Sequence, residues 1–412
     1  MTEQLKLKLN DSKATRWGAL VIVAFTMMAA YYVNDVVAPL KTMLETDLAW
    51  SSTDFGFFTG GYSFLNVFFL MLIWGGLILD RFGIRFTGKL ATILMVGGTA
   101  LEYYAMTGLA GTDATLFGIN EIFGYKTGVF VAFAGYSIFG VGAEVAGITV
   151  SKIIAKWFKG KELATAMGVQ VALARIGSQA GYAVAIPLAR AFGISTPVLL
   201  GLVLLLGGMI AFFVFTVMDK KLDKQMEAAA IAAGTEDEEE KFSFKDVKNI
   251  LVNPGFWLIA LLCVLFYSCV FPFQKFASEL MIIKYGINEN VAGTFAGLPA
   301  LGALILTPVF GGFIDKRGKS ASIMLLGSAM LICVHFIYAI PDINYWLVAI
   351  VLMIILGIAF SLVPSAMWPA VAKIFPVSQL GTAYALIFFI QNIGLWGIPT
   401  LIGWVLDAYC IS

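Results

Sequence analysis

The sequence predicts an all-α membrane protein built from two repeated halves, and three observations point there. The chain is 60% hydrophobic and only 13% charged, with a mean hydropathy of +0.88, about half the charge of an ordinary soluble domain. Its apolar residues fall in runs long enough to cross a bilayer, for which about 20 residues are needed. The second half repeats landmarks of the first at a fixed offset.

Eleven apolar segments are expected, near 17–40, 55–79, 88–110, 127–154, 162–189, 195–218, 254–280, 291–314, 320–340, 345–373 and 379–406. The first is too long for a cleaved signal peptide and lacks a small-residue cleavage pattern after it. Placing the N-terminus in the cytoplasm assigns 21 of the 27 basic residues to that side, as the positive-inside bias requires. The opposite side then receives Lys41, Lys126, Arg190, Lys275 and Lys284, and Arg175, inside the fifth segment, fits neither set. The four cysteines have neither metal-ligand spacing nor a disulfide pattern, and His335 reads as a packed or interfacial residue. No cofactor and no metal are expected, and nothing in the charge pattern suggests nucleic acid as a partner.

Residues 219–250 form a hydrophilic stretch that contains "GTEDEEEK" at 234–241, a solvated linker by composition. It divides an N-terminal half, 1–218, from a C-terminal half, 251–412. A shift of 217 aligns Gly140 with Gly357, "AKWF" at 155–158 with "AKIF" at 372–375, and Ile176-Gly177 with Ile393-Gly394. The loops after the second and eighth segments both read G-x3-D-[RK]-x-G followed by a basic residue: Gly76, Asp80, Arg81, Gly83 and Arg85 in one, and Gly311, Asp315, Gly318 and Lys319 in the other.

This loop in both halves, with the central linker and "KWFKGKELATAMG" at 156–168, resembles the major facilitator superfamily over the whole chain. The resemblance implies two six-helix repeats, a midplane site between them and alternating access, with the twelfth helix missing after the eleventh segment. It also implies a gating role for the loop residues Gly76, Asp80, Arg81, Gly83, Arg85 and Asp315, in which Asp80 meets a helix N-terminus of the other half.

Two charges sit at the expected midplane. Glu144 lies about 15 Å from the end of the fourth segment and Arg175 roughly 20 Å into the fifth, at 1.5 Å per residue. Ionisable residues at that depth cost at least about 2.5–3.5 kcal/mol on insertion scales and normally face a cavity or a partner. The plainest alternative is a structural Glu144–Arg175 ion pair between adjacent helices. Tyr31, Tyr32, Asn34, Asn66, Tyr267, Trp368, Gln391 and Asn392 fall at matching depth, each of them equally suited to helix packing.

The stretch "MWPAVAKIFPVSQLGTAYALIFFIQNIGL" at 367–395 resembles the lysosomal dipeptide transporters of that superfamily and their bacterial relatives. Met367 replaces a leucine of their pattern and Ala385 a glycine, while Glu144 and Arg175 match their membrane charges. The resemblance implies a dipeptide as substrate, with Glu144, Arg175, Tyr31, Tyr32, Asn34, Tyr267, Trp368 and Asn392 as its site. A carboxylate and a planar guanidinium complement the two ends of a zwitterion. The E-x-x-E-R motif of proton-coupled peptide carriers does not occur, which favours facilitated uniport. An organic-anion carrier of the same fold and a non-transporting receptor or partner subunit are the competing readings. An enzyme is not expected, since no nucleophile–base arrangement appears. A monomer in a bacterial cytoplasmic membrane, crossing it many times with its N-terminus in the cytoplasm, completes the expectation.

Overall fold

The computed structural model describes residues 8–111, 114–158, 161–233, 244–375 and 377–410. The chain runs α1 (Lys13–Val36), α2 (Lys41–Leu48), α3 (Ser52–Phe68), α4 (Met71–Ala105), α5 (Thr127–Trp157), α6 (Leu163–Phe192) and α7 (Thr196–Ala233), then α8 (Phe244–Val252), α9 (Pro254–Ile283), α10 (Glu289–Ala296), α11 (Leu298–Arg317), α12 (Ser320–Ala339), α13 (Trp346–Ile374) and α14 (Val377–Tyr409). Among the described residues eight helical stretches are long and apolar enough to cross a membrane, and the bent pair α3–α4 makes nine. The eleven expected segments fit this set, because the bent pair carries the second and third and the thirty-residue α6 carries the fifth.

Two boundaries differ from the sequence expectation. The second segment is not one straight helix: it breaks after Phe68 and turns by 58° into α4, with Leu70 in the left-handed region at φ 53°. The following loop is also shorter than expected. Helical structure continues across it except at Gly83, whose φ of 75° and ψ of 173° reverse the chain, a conformation that residues with a Cβ rarely adopt. Past the bilayer, α7 stays helical into the hydrophilic stretch as far as Ala233, whereas "GTEDEEEK" lies outside the described residues.

Each half has its own apolar core, one from Ala19 to Leu222 and one from Ile250 to Ile387, with small exchanges at the seam. Within the first half, glycines let helices approach to backbone contact, the usual device where lipid removes the hydrophobic drive for association. A Cβ on Gly98 of α4 would strike the Gly135 carbonyl and Phe139 amide of α5, whereas Gly97 beside it faces open space. In the same half α7 covers α1 and α4. The corresponding groove of the second half, between α9 and α12 and lined by Leu258, Leu262, Met324 and Leu325, is open, and no helix follows α14 among the described residues.

The N-terminus, Gly83 and the α7–α8 junction mark one face of the bundle, the linker face. There Arg16 donates to Glu162 at 3.1 and 2.7 Å, which holds that carboxyl below its ordinary range, and Asp219, fully buried, accepts from Lys156, Trp157 and Arg85.

The halves are joined on the opposite face. The Lys275 ammonium of α9 enters a pocket of the first half, where it donates to the Asn34 carbonyl and contacts Asp35 and the Tyr136 hydroxyl at 3.3 Å each. Lys41, 1% exposed, sits 2.5 Å from both Glu45 and Glu279. Arg190 pairs with Glu289. Asp407 of α14 accepts from the Ser52 and Thr53 amides at 3.0 and 2.6 Å, so one half caps the first turn of a helix of the other. Among the described residues, every hydrogen bond and ion pair between the halves lies between the level of Arg175 and this face.

Two outcomes follow. Gly98→Ala lowers the thermal midpoint in detergent, at about 1–3 kcal/mol for forced overpacking, while Gly97→Ala leaves it nearly unchanged. Lys275→Gln leaves a buried carboxylate unpaired, a loss of about 3–5 kcal/mol, and loosens the opposite face. Spin labels at two exposed positions, Asp47 in the last turn of α2 and Asp342 in the loop before α13, then report a longer or broader distance distribution than in the parent; an identical distribution would show that Lys275 does not hold the halves together.

Candidate functional site between the two halves

Glu144 extends α5 toward α3 and is half-buried. The close approach of these helices follows from Gly140, one turn earlier, where a Cβ would strike the Tyr62 carbonyl. The same tyrosine then reaches the carboxylate: its hydroxyl donates to Glu144 Oε1 at 3.0 Å.

Arg175 does not pair with Glu144. Among the described residues no carboxylate lies within salt-bridge distance of it. Its guanidinium instead packs over two rings, Tyr31 of α1 at 5.5 Å and Phe360 of α13 at 5.0 Å, a placement that cation–π attraction favours and that leaves the planar donor edge unspent. Gly177, two residues on, lets α6 approach the Met28 carbonyl of α1. Tyr31 is within electrostatic reach of both charges.

The second half contributes a wall of rings. Phe360 meets Phe271 at 5.4 Å and Tyr267 at 6.4 Å. Trp368 donates to the Tyr267 hydroxyl at 3.3 Å and packs on Phe388 at 4.9 Å and Tyr384 at 5.7 Å. The charges therefore come from the first half, with Tyr31 and Tyr62 beside them, and the second half adds a wall of rings.

The structure thus brings Glu144, Arg175, Tyr31, Tyr267 and Trp368 into one continuous region, and three other expected residues lie elsewhere. Tyr32 points to the far side of α1 and donates to the Pro197 carbonyl of α7 at 3.2 Å. Asn34 belongs to the Lys275 pocket, accepting from Tyr136 and donating to Asp35 at 2.8 Å. Asn392 is buried and donates to the Phe388 carbonyl of its own helix at 2.9 Å. A three-residue spacing on a helix separates faces by almost a full turn, but neighbours such as Tyr31 and Tyr32 diverge by about 100°, so depth alone does not assign a side chain. Asn66 is buried and its amide has no partner among the described residues, and Gln391 accepts from Cys263 at 3.3 Å. His335 packs edge-on against Phe273 at 4.8 Å.

At the linker face Asp80 pairs with Lys152 of α5 at 2.9 Å, inside its own half, so the expected cross-half contact is not made in this conformation. Arg81 lies over Phe82, Arg85 binds Asp219 and Asp223 of α7, Gly76 has open space where a Cβ would stand, and the Asp315 side chain lies outside the described residues.

Sequence reasoning passed over Tyr62, Phe360, Tyr136, Asp35, Lys275 and Glu102. Glu102 is fully buried on α4, and among the described residues neither carboxylate oxygen is hydrogen-bonded. Glu102 and Lys275 both fall inside expected membrane segments, so the rule that singles out Glu144 applies equally to them.

Residues 20–397 match the family model described as Major Facilitator Superfamily. Among curated proteins, the human lysosomal dipeptide transporter MFSD1 is 29% identical over 409 residues, 96% of this chain and 81% of the relative. Its Gallus gallus counterpart is 33% identical over 287 residues, 66% of this chain and 62% of the relative. Two solved structures are similar in fold. One is a bacterial homologue of the human lysosomal transporter Spinster, inward-facing and unoccupied, with a TM-score of 0.68 at 15% identity, covering 97% of this chain and 84% of that one. The other is the inward-open xylose transporter XylE from E. coli, with a TM-score of 0.68 at 14% identity, covering 96% and 91%. With its two cores and a family match across nearly its whole length, the chain belongs to the major facilitator superfamily and is a multi-pass membrane transporter.

Proposed function

We propose that the chain carries dipeptides across the membrane by alternating access, as a facilitated uniporter. One observation carries the reading: Glu144 and Arg175 face the same region but are held apart, one by a tyrosine hydroxyl and the other between two rings. A structural ion pair would bring the two charges into contact. Two unspent opposite charges at one depth suit a ligand with an ammonium at one end and a carboxylate at the other.

In this reading Glu144, oriented by Tyr62, takes the ammonium, and Arg175 takes the carboxylate through two parallel donors. Tyr267 and Trp368 offer flat apolar surface to side chains without selecting a shape. The name of the curated relatives supports the same substrate class. With the N-terminus in the cytoplasm, the joined face is the external one and the site opens inward. The linker-face residues Gly76, Asp80, Arg81, Gly83, Arg85 and Asp315 then close the other side in the opposite conformation, in a cytoplasmic membrane and as a monomer.

Uptake into proteoliposomes tests this. Glu144→Gln weakens a free dipeptide much more than its N-acetyl form, and Arg175→Lys transports poorly because a point charge does not replace the fork. Transport of simple carboxylates but not dipeptides would favour an organic-anion carrier, and uptake of neither a receptor. Tyr62→Phe removes one hydrogen bond to a charged group, about 1.5–3 kcal/mol of stability, so the thermal midpoint of the free protein falls, and dipeptide affinity falls with it because Glu144 is no longer held in place. Normal dipeptide uptake by a double mutant with both charges neutralised would sink the proposal.

A further inference from the structure

Between α4 and α5, on the face opposite the linker, the chain folds back twice in a small hairpin. Leu116 bridges Ile119, and Glu121–Ile122 pairs antiparallel with Tyr125–Lys126. Both reversals are two-residue turns with positive φ at both positions: 54° and 80° at Phe117-Gly118, and 53° and 81° at Phe123-Gly124. Turns of this kind favour Asn, Asp or Gly at the first position. A bulky aromatic there is uncommon, and such outliers persist where function or surroundings require them.

Both phenylalanines point outward, Phe117 at 94% exposure and Phe123 at 88%. Among the described residues little covers either ring, yet the hairpin is not loose. Tyr125 stacks on Phe57 of α3 at 3.9 Å, the Lys126 ammonium binds the Ala49 carbonyl, and Thr127 is tied to Asn120 and Ile119 at 2.9 and 2.8 Å. These ties pin the hairpin against the ends of the spanning helices.

The height of the rings follows. Phe123 lies 5.9 Å from the half-buried Phe130, and Phe130 stands in the first turn of α5, a helix long and apolar enough to cross the membrane, so the exposed rings stand level with the end of a spanning helix. Residues 114–126 carry only one acidic and one basic side chain, Glu121 and Lys126. Segments that lie in the interface of a bilayer bury Trp, Phe and Leu side chains about 5–10 Å into the boundary between headgroups and acyl chains.

We propose that the hairpin is an interfacial anchor, with Phe117 and Phe123 seated in the boundary layer of the leaflet opposite the linker face. Its partner is the lipid surface. Two rigid turns present the rings, and the ties to α3 and α5 transmit their depth to the helices on which Tyr62 and Glu144 stand.

The test uses the full chain with Cys263, Cys269, Cys333 and Cys410 replaced by serine, reconstituted in phosphatidylcholine–phosphatidylglycerol bilayers. A nitroxide is placed at Phe117, at Phe123 or, as the aqueous reference, at Asp342. Power saturation compares collisions with oxygen, which concentrates in lipid, and with a water-soluble nickel chelate. The expected oxygen-to-nickel ratio is several-fold higher at 117 and 123 than at 342. Equal ratios at the three positions would overturn the proposal and leave the hairpin as a water-facing surface.

Discussion

One buried ammonium organises this molecule. Lys275 leaves the second half and finishes inside the first, against the Asn34 carbonyl, Asp35 and the Tyr136 hydroxyl. An ammonium in that position cannot be withdrawn without leaving Asp35 unpaired in a dry place, and breaking such a pair is costly even where forming it gains little. The joined face depends on this contact together with Lys41–Glu279, Arg190–Glu289 and the Asp407 cap. Among the described residues no matching hydrogen bond or ion pair crosses at the linker face, so the closure of one face sets which way the site opens. The link between closure and site is material: Tyr136, which touches Lys275, packs on Tyr62 at 5.7 Å, and Tyr62 holds Glu144.

The fold is legible because membrane segments announce themselves by length and composition, and because "AKWF" and "AKIF", Gly140 and Gly357, and two Ile-Gly pairs all recur at one shift. Glu144 and Arg175 were legible for an equally simple reason, the cost of a charge at that depth. The finer site was not. Tyr31 and Tyr32 differ by one residue, and only the rotation of α1 against α6 and α7 decides that one meets Arg175 and the other Pro197. Asn34 was read as a ligand group because its depth is right, but the Lys275 that recruits it comes from 241 positions away. Phe360 escaped because an aromatic in an apolar helix carries no local signal; its meaning appears only when a guanidinium from the other half lies over it.

The basic residues that the loop count placed on the opposite face deserve a second reading. Their scarcity identified the face, and their partners explain what remains there: Lys41, Arg190 and Lys275 join the halves, Lys126 fastens the hairpin to Ala49, and Lys284 donates to the Tyr338 and Ile340 carbonyls at 2.6 Å. Statistics of topology and mechanics of closure thus draw on the same few side chains.

The separation of Glu144 from Arg175 has an electrical consequence. When both are ionised, the region between the halves holds one negative and one positive charge and sums to zero. A bound zwitterion adds zero again, and its ends remain countered throughout. Moving a unit charge through a membrane potential of 100 mV involves about 2.3 kcal/mol, but a neutral assembly feels none of it. On the proposed reading, the direction of flow answers to the concentrations of the ligand on the two sides and is silent to voltage.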